Sequence, residues 1–239
     1  MRATMKRRAL VFLKNEEDGS SYYRLYQYLR GKPCRRVNMT PTWVYRLFYG
    51  RRYGKAVKFA LKLLMGGVTF GTTLGAMALD ALVWKSEVVI VNRRFFPRAC
   101  PPLLAVILRR YLRGKKFYWD FDDNIALDGE LSRAEKAVLE EAARKITVTG
   151  TYLRETVSET AREKVKLLPT TDLAFRREET ESLLASKGSD GAALKLLWLG
   201  TRDNLKYLEA LVPALEQAAE TIVRDTGKRP ELQVVSNAP

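Results

Sequence analysis

The chain has 239 residues, of which 46% are hydrophobic and 29% charged, a composition typical of a globular protein with a sizeable core. Its net charge of +15 predicts an anionic partner, whether phosphate, an acidic membrane surface or nucleic acid. It has no histidine and two cysteines, which excludes Ser–His and Cys–His catalysis, most transition-metal sites and a disulfide framework, and favours the reducing cytoplasm.

The positive charge is concentrated in the first half of the chain. Residues 1–118 contain 25 Lys and Arg against 5 Asp and Glu, whereas residues 119–239 contain 17 against 22. The first half is therefore the half expected to contact an anionic partner. Its basic amino terminus leads into an apolar run that is too short for a secretory signal, so no signal peptide is predicted.

Strand-like and helix-like segments alternate through residues 1–175. The β-branched and aromatic runs that predict strands lie at 9–13, 88–91, 116–119, 146–149 and 165–168. The helices predicted between them lie at 20–29, around 103–112, at 132–144 and at 152–161. Ser132 and Glu135 resemble a capping box. The alternation predicts an α/β protein with a Rossmann-like, doubly wound parallel sheet.

Residues 35–62 are basic and aromatic and are expected to be helical after Gly54. The members of this stretch predicted to contact a membrane surface are Arg46, Arg51, Arg52, Lys55 and Lys58. The uncharged run 63–79 follows, with glycines at a four-residue spacing typical of close helix packing. It is shorter than the ~20 residues that span a bilayer. A helix packed on the sheet and a helix in the bilayer interface both remain open.

A charged and then small-residue stretch at 176–193 predicts an interdomain linker. The elements expected after it are a strand at 194–199, a turn at Gly200 and Thr201, a helix at 204–224 and a strand at 232–235. About 45 residues cannot bury a core of their own. We therefore interpret 194–239 as the beginning of a C-terminal domain and expect the natural protein to be longer.

Unusual polar residues follow two of the predicted strands. Arg93 and Arg94 come directly after the second strand, and the third ends in Asp120, Asp122 and Asp123. Ligands of open parallel sheets bind at the carboxyl ends of strands, so these side chains are expected to share a cleft. The arginines suit a phosphate or an acidic ligand. The carboxylates are the catalytic candidates, and orienting a hydroxyl, binding a divalent cation and neutralising the arginines remain open as their roles.

The loop after the first strand leads into the amino terminus of a helix. Backbone N–H groups and the helix dipole make such a position an anion site. The candidate phosphate-binding residues here are Gly19, Ser20, Ser21 and Arg24. The alternative is an ordinary capped turn without a ligand.

Six motifs follow one another along the chain. They are GSSYYRLYQYL (19–29), VVIVNRRFFPR (88–98), FYWDFDDNI (117–125), ITVTGTYL (146–153), VKLLPTTDL (165–173) and LLWLGTRDNLKYLEALVPAL (196–215). Their order and spacing resemble the GT-B glycosyltransferases of the large retaining family four, which have two Rossmann-like domains. The resemblance covers most of the chain.

This resemblance implies an acceptor-side domain at 1–175 and a nucleotide-sugar-binding domain that begins at 194, with Gly200 and Thr201 in its first loop. It implies transfer of a sugar from a nucleotide sugar to a cell-envelope or lipid-linked acceptor, in the cytoplasm at the inner face of the plasma membrane. No cofactor is required, and a need for a divalent cation stays open. The family's paired glutamates lie beyond Pro239, so residues 1–239 alone are not expected to catalyse transfer. Many relatives have a histidine near the acidic cluster, so the catalytic base is left unassigned here.

Two other functions fit the same residues. FYWDFDD approaches the nucleophile motif of haloacid-dehalogenase-type phosphatases, with Asp120 as nucleophile and Asp122 as acid/base. However, Asn124 replaces the usual Thr or Val, and two strand-like runs precede the motif. The other function is a non-enzymatic module that binds a membrane or nucleic acid through the basic half. No RNA- or DNA-binding motif is present, so no specific nucleic-acid partner is expected.

Overall fold

The computed structural model describes residues 9–50, 53–97, 101–127, 129–171, 181, 193–200 and 204–236. The chain forms two compact units, Met1–Ala174 and Phe175–Pro239. The first unit contains a six-stranded sheet and the second a two-stranded sheet. Apart from Glu181 and Ala193, the predicted linker at 176–193 lies outside the described residues.

The strands of the first unit form one parallel sheet. They are β1 (Ala9–Leu13), β2 (Arg35–Asn38), β3 (Val88–Asn92), β4 (Lys116–Phe121), β5 (Ala143–Val148) and β6 (Val165–Leu167). Their order across the sheet is β2-β1-β3-β4-β5-β6, and every neighbouring pair is parallel. The predicted parallel α/β sheet is confirmed. The sequence did not indicate β2, because this edge strand is mostly polar and lacks an apolar run.

Helices connect these strands. They are α1 (Gly19–Ser21, a π-helical stretch Tyr22–Tyr26, and Gln27–Leu29), α2 (Thr42–Tyr49), α3 (Lys55–Leu79, continued by a π-helical turn Asp80–Trp84), α4 (Pro102–Leu112), α5 (Arg133–Ala142) and α6 (Thr151–Glu155). A 3₁₀ helix, Glu159–Lys164, follows α6. The single helix predicted at 152–161 is therefore divided, since the N–H of Ser158 donates to the Glu140 side chain at 2.9 Å and not to a helix carbonyl.

The main hydrophobic core lies on one face of the sheet. Alternate residues of the strands, such as Phe12, Val91 and Trp119, pack there against the buried sides of α3, α4 and α5. A smaller core on the opposite face contains Val11 and Leu13 and lies beneath α1. With helices on both faces the unit is Rossmann-like, and the carboxyl ends of the strands form one edge of the sheet.

The second unit is a single βαβ element. Its parts are β7 (Ala193–Gly200), α7 (Leu205–Thr226) and β8 (Arg229–Ser236), and the two strands are parallel. Within the described residues these two strands pair only with each other. A cavity of about 190 Å³ lies between the helix and the strands and is lined mainly by apolar side chains. It offers little polar chemistry, so the functional residues are sought in the first unit.

Candidate functional site

Three polar residues lie side by side on the sheet face beneath α1. The register pairs Asn92 of β3 with Asp120 of β4, and Asp120 with Thr147 of β5. In-register neighbours point to the same face, so the Asp120 carboxylate lies between an amide and a hydroxyl. Asn92 Nδ2 donates to Asp120 Oδ2 at 3.1 Å, and Thr147 Oγ1 donates to Asp120 Oδ1 at 2.6 Å.

Helix α1 inserts an arginine into this layer. Arg24, in the π-helical stretch, forms a two-point ion pair with Asp120, with Nε 3.3 Å from Oδ2. Its guanidinium also donates to the backbone carbonyl of Leu168, just after β6. Arg24 is 3% exposed and Asp120 is 2% exposed. This buried, fully hydrogen-bonded pair holds α1 on the sheet.

The predicted ligand contacts of Arg24 and Asp120 do not fit this arrangement. Asp120 accepts two hydrogen bonds from Arg24, one from Asn92 and one from Thr147, so both of its oxygens are occupied inside the protein. Arg24 is buried and is therefore not available to bind a phosphate. We assign both residues to the scaffold of the site.

The next carboxylate, Asp122, lies in the open part of the site. Ser20 Oγ donates to Asp122 Oδ1 at 2.6 Å, and Ser21 Oγ donates to Asn92 Oδ1 at 3.0 Å, so the first turn of α1 is tied to the ends of β3 and β4. Burial raises the pKa of Asp122 above its ordinary value, and adjacent Asp123 adds to this, whereas the Ser20 hydroxyl opposes it. A half-buried carboxylate with a raised pKa suits a general acid or base.

The predicted anion site at the amino terminus of α1 already holds a carboxylate. Asp18 caps the helix by accepting from the backbone N–H of Ser21 at 3.3 Å, and Lys14 Nζ pairs with Asp18 at 2.6 Å. A Cβ added at Gly19 meets no atom within 4 Å, so this glycine is not required by packing. The capped turn is therefore present. Of the predicted residues in this loop, Ser20 is the one that contacts the open carboxylate.

Arg93 has a backbone conformation that is uncommon for a residue with a side chain. Its φ is 68°, in the left-handed region. Two hydrogen bonds hold it there, from the Arg93 N–H to the Asp120 carbonyl at 2.7 Å and from Trp119 Nε1 to the Arg93 carbonyl at 2.8 Å. Backbone strain of this kind is concentrated at functional sites, so the conformation makes Arg93 a candidate for ligand contact.

The guanidinium of Arg93 lies among three carboxylates. Nη1 is 2.8 Å from Asp123 and 3.7 Å from Asp122, and Nη2 is 3.5 Å from Glu130. Burial disfavours its charge, but these three carboxylates hold the pKa of Arg93 above its ordinary value. Among the described residues, its buried Nε has no hydrogen-bond partner. Arg93 therefore forms the centre of an ion-pair cluster with Asp122, Asp123 and Glu130.

Arg94 and Asp123 lie at the rim of the site. Arg94 Nη1 donates to the carbonyl of Phe96 at 2.8 Å, and its Nε is 3.7 Å from Glu130. The Asp123 side chain is 57% exposed and pairs with Arg93. Ion pairing with arginine, one of the three roles left open for the carboxylates, is therefore present. No group of three or more metal-ligating side chains occurs in the part of the chain that the structure describes.

Glu135 supports the loop that carries the arginines, and sequence reasoning did not assign it this role. Ser132 Oγ accepts from the N–H of Glu135 at 3.1 Å, as the capping box predicts. The Glu135 carboxylate instead accepts from the N–H of Phe95 at 2.6 Å and of Phe96 at 3.3 Å. Burial raises the pKa of Glu135 to about 7, although these two N–H groups oppose the shift.

The Glu135→Gln variant is expected to gain stability over the wild type as pH rises from about 4.5 to about 7. Folded Glu135 keeps its proton up to about 7, whereas the unfolded chain loses it near 4.5, so the wild-type free energy of unfolding falls across this window. The glutamine keeps an acceptor oxygen and carries no charge. Urea unfolding at pH 5 and pH 8 should show the difference changing by up to about 3 kcal/mol. If the difference in unfolding free energy between the variant and the wild type did not change with pH, the raised pKa of Glu135 would be contradicted.

In the second unit, Gly200 is held by local packing. It ends β7, and the position of an added Cβ is occupied by the ring of Trp198. The ring of Trp198 therefore accounts for the absence of a side chain at position 200. The contact of Gly200 with a phosphate stays a prediction. The predicted residues that lie outside the described part of the chain are Arg51, Arg52 and Thr201.

The described residues predicted to contact a membrane are on the surface. Arg46 of α2 pairs with Glu17, with Nε 2.9 Å from Oε1, which reduces the free positive charge at this position. Lys55 and Lys58 are exposed in the first turns of α3. These two lysines therefore remain available to an anionic surface.

No protein-family model matches this chain, and no curated protein matches it. The structure shows an α/β protein with a six-stranded parallel sheet and a polar cluster at the carboxyl ends of β3 and β4. Its function is therefore inferred from the chemistry of that cluster, together with the motif resemblance.

Proposed function

We propose that the chain is the acceptor-side part of a glycosyltransferase that transfers a sugar from a nucleotide sugar to a cell-envelope or lipid-linked acceptor. The observation that supports this most is the approach of Arg93 to the hydrogen-bonded pair of Ser20 and Asp122 at the carboxyl edge of a parallel sheet. Ligands of such sheets bind at this edge. The reaction class comes from the resemblance of the six motifs, because a Rossmann-like fold alone supports many functions.

Each residue of the cluster has a distinct role in this proposal. Asp122 accepts a hydrogen bond from the acceptor hydroxyl and orients it, while Ser20 holds the carboxylate in place. Arg93 binds an anionic group, either on the acceptor or on the departing diphosphate, and stabilises its charge as the bond to the sugar breaks. Arg24 and Asp120 keep α1 at the correct distance from the strands.

The phosphatase alternative loses support from the contacts of Asp120. A nucleophilic aspartate must present a free oxygen to the phosphorus atom. Both oxygens of Asp120 accept internal hydrogen bonds, and the carboxylate is paired with buried Arg24. A covalent intermediate at this position would require the pair to be broken.

Sugar transfer can be tested with the full-length product of the gene, a panel of labelled nucleotide sugars and a membrane-lipid extract. We expect one nucleotide sugar to label an organic-soluble product, with release of an equal amount of nucleoside diphosphate. Absence of transfer from every donor by the folded full-length protein would contradict the proposal. Mg²⁺-dependent hydrolysis of p-nitrophenyl phosphate that is lost in Asp120→Asn would establish the phosphatase instead.

A further inference from the structure

The surface of α3 that points away from the sheet is apolar along the whole helix. Lys55–Trp84 is a continuous helical segment of 30 residues that is long and apolar enough, by composition, to cross a membrane, yet only 11% of its most apolar window is buried. Its core side contains Thr73, Ala76 and Met77. At 3.6 residues per turn the opposite side contains Val57, Ala60, Leu64, Gly67, Gly71, Gly75, Ala78, Leu79 and Leu82, all exposed.

Three glycines of α3, Gly67, Gly71 and Gly75, face outward and not toward the sheet. A Cβ added at Gly67, Gly71 or Gly75 meets no atom within 4 Å. The packing on the sheet is made by larger residues, such as Phe70, whose ring lies 5.9 Å from that of Phe96. The four-residue glycine spacing therefore does not mark the contact of α3 with the core.

Helix α4 adds a second apolar surface to the same layer. It packs on the same face of the sheet as α3, and Tyr111 Oη donates to Asp80 Oδ2 at 2.8 Å, which joins the carboxyl ends of the two helices. On its outer side Leu103 is 70% exposed and Val106 is 58% exposed. The outer sides of α3 and α4 together form what we call the α3–α4 face.

Basic residues are concentrated in the part of the chain that leads into and forms the first turns of α3. Between Asp18 and Asp80 the sequence contains 11 Lys and Arg and no acidic residue. Asp80 itself is fully buried and paired with Lys115 at 2.8 Å. Lys55, Lys58 and Lys62 are exposed on the sides of α3 away from its apolar surface. An apolar side opposite a basic side is the pattern of a helix that lies at the headgroup and acyl boundary of an anionic bilayer.

The helix cannot cross a bilayer while it remains part of the first unit. Its second half packs on the core through Thr73, Ala76 and Met77, and the buried carboxylate of Asp80 fixes its end. Its uncharged portion, 63–79, is also shorter than the ~20 residues of a spanning helix. The contacts therefore favour a helix that lies in the plane of the interface.

We propose that the α3–α4 face is a docking surface that inserts into the interface of an anionic lipid bilayer. Both helices start after the carboxyl end of one strand and lead to the amino end of the next, so their amino termini lie at the same edge of the sheet as Arg93 and Asp122. The inference goes beyond the proposed sugar transfer and does not depend on it.

Co-sedimentation with vesicles tests the docking surface. The wild type should bind phosphatidylglycerol vesicles more tightly than phosphatidylcholine vesicles, and added salt should weaken binding. Leu64→Glu and Leu82→Glu place a charge on the α3–α4 face, and each should weaken binding about tenfold or more. Both side chains are exposed, so the variants should keep the wild-type unfolding curve. Leu211→Glu, on exposed α7, is the control for one added negative charge and should bind like the wild type.

Several results would overturn the inference. Equal binding by the wild type and the two α3 variants, or an equal loss in Leu211→Glu, would show that this face is not the docking surface. Resistance to alkaline carbonate extraction would show a spanning helix, and a lipid-free dimer dissociated by Leu64→Glu would show that a second copy covers the face. Vesicle binding without sugar transfer would contradict only the proposed function. Transfer to a soluble acceptor without vesicle binding would contradict only this inference.

Discussion

Replacing Asp120 with alanine is expected to lower the free energy of unfolding by about 3–5 kcal/mol. The substitution leaves the buried guanidinium of Arg24 without its charge partner and removes the acceptor of the Asn92 and Thr147 hydrogen bonds. An uncompensated buried charge costs more than a lost contact, because water cannot replace the carboxylate. Urea unfolding followed by far-UV circular dichroism measures the change.

Two control variants show whether the loss of stability comes from leaving a buried charge unpaired or from removing a carboxylate. Asp123→Ala removes a carboxylate that is 57% exposed and should change the free energy of unfolding by less than about 1 kcal/mol. The paired replacement of Arg24 by methionine and Asp120 by leucine should recover much of the stability lost in Asp120→Ala, because no charge is then left unpaired. A loss below about 1 kcal/mol in Asp120→Ala would contradict the scaffold role of the pair.

In the full-length protein, Asp122→Ala and Arg93→Ala are each expected to lower the turnover number for sugar transfer about 100-fold. The Asp122 variant lacks the carboxylate that is proposed to orient the acceptor hydroxyl, and the Arg93 variant lacks the guanidinium that is proposed to bind an anionic oxygen. Such groups act mainly on the transition state, so turnover should fall more than substrate affinity. Steady-state kinetics measures both parameters.

Two control variants remove a positive charge away from the site, as Arg93→Ala does within it. Arg113→Ala removes an exposed arginine that follows α4, at the opposite edge of the sheet, and should leave turnover unchanged. Lys58→Ala should affect only reactions on membrane-bound acceptors, through docking. Each variant must show the wild-type circular dichroism spectrum. Normal turnover in both folded site variants would place the active site elsewhere.

Much of the first unit could be predicted from the sequence because its strands are buried. Apolar runs such as 88–91 and 117–119 have few alternatives to a central parallel strand, and the structure confirms both strands. The edge strand β2 was missed because only one side is paired and its residues are mostly polar. The spacing of Gly67, Gly71 and Gly75 suggested close packing, but spacing alone does not say which side of a helix faces the core.

The sequence predicted that the polar residues after β3 and β4 lie at one edge of the sheet, but it could not assign a different role to each of them. Asp120 and Asp122 both follow an apolar strand, and only the approach of Arg24 from another element shows that Asp120 is internally paired. Glu135 lies far along the chain from the loop that it supports, so no local signal links it to Phe95. Long-range contacts of this kind depend on the packing of helices on the sheet, which a single sequence does not determine.

A crystal structure of the full-length protein with a nucleotide sugar and an acceptor analogue tests the site most directly. We expect a polar atom of the acceptor within about 3.2 Å of the Asp122 carboxylate, with an anionic oxygen at a similar distance from Arg93. The Arg24–Asp120 pair should be unchanged by binding. An acceptor bound elsewhere, with the Ser20–Asp122 hydrogen bond and the ion pairs of Arg93 intact, would contradict the proposed site.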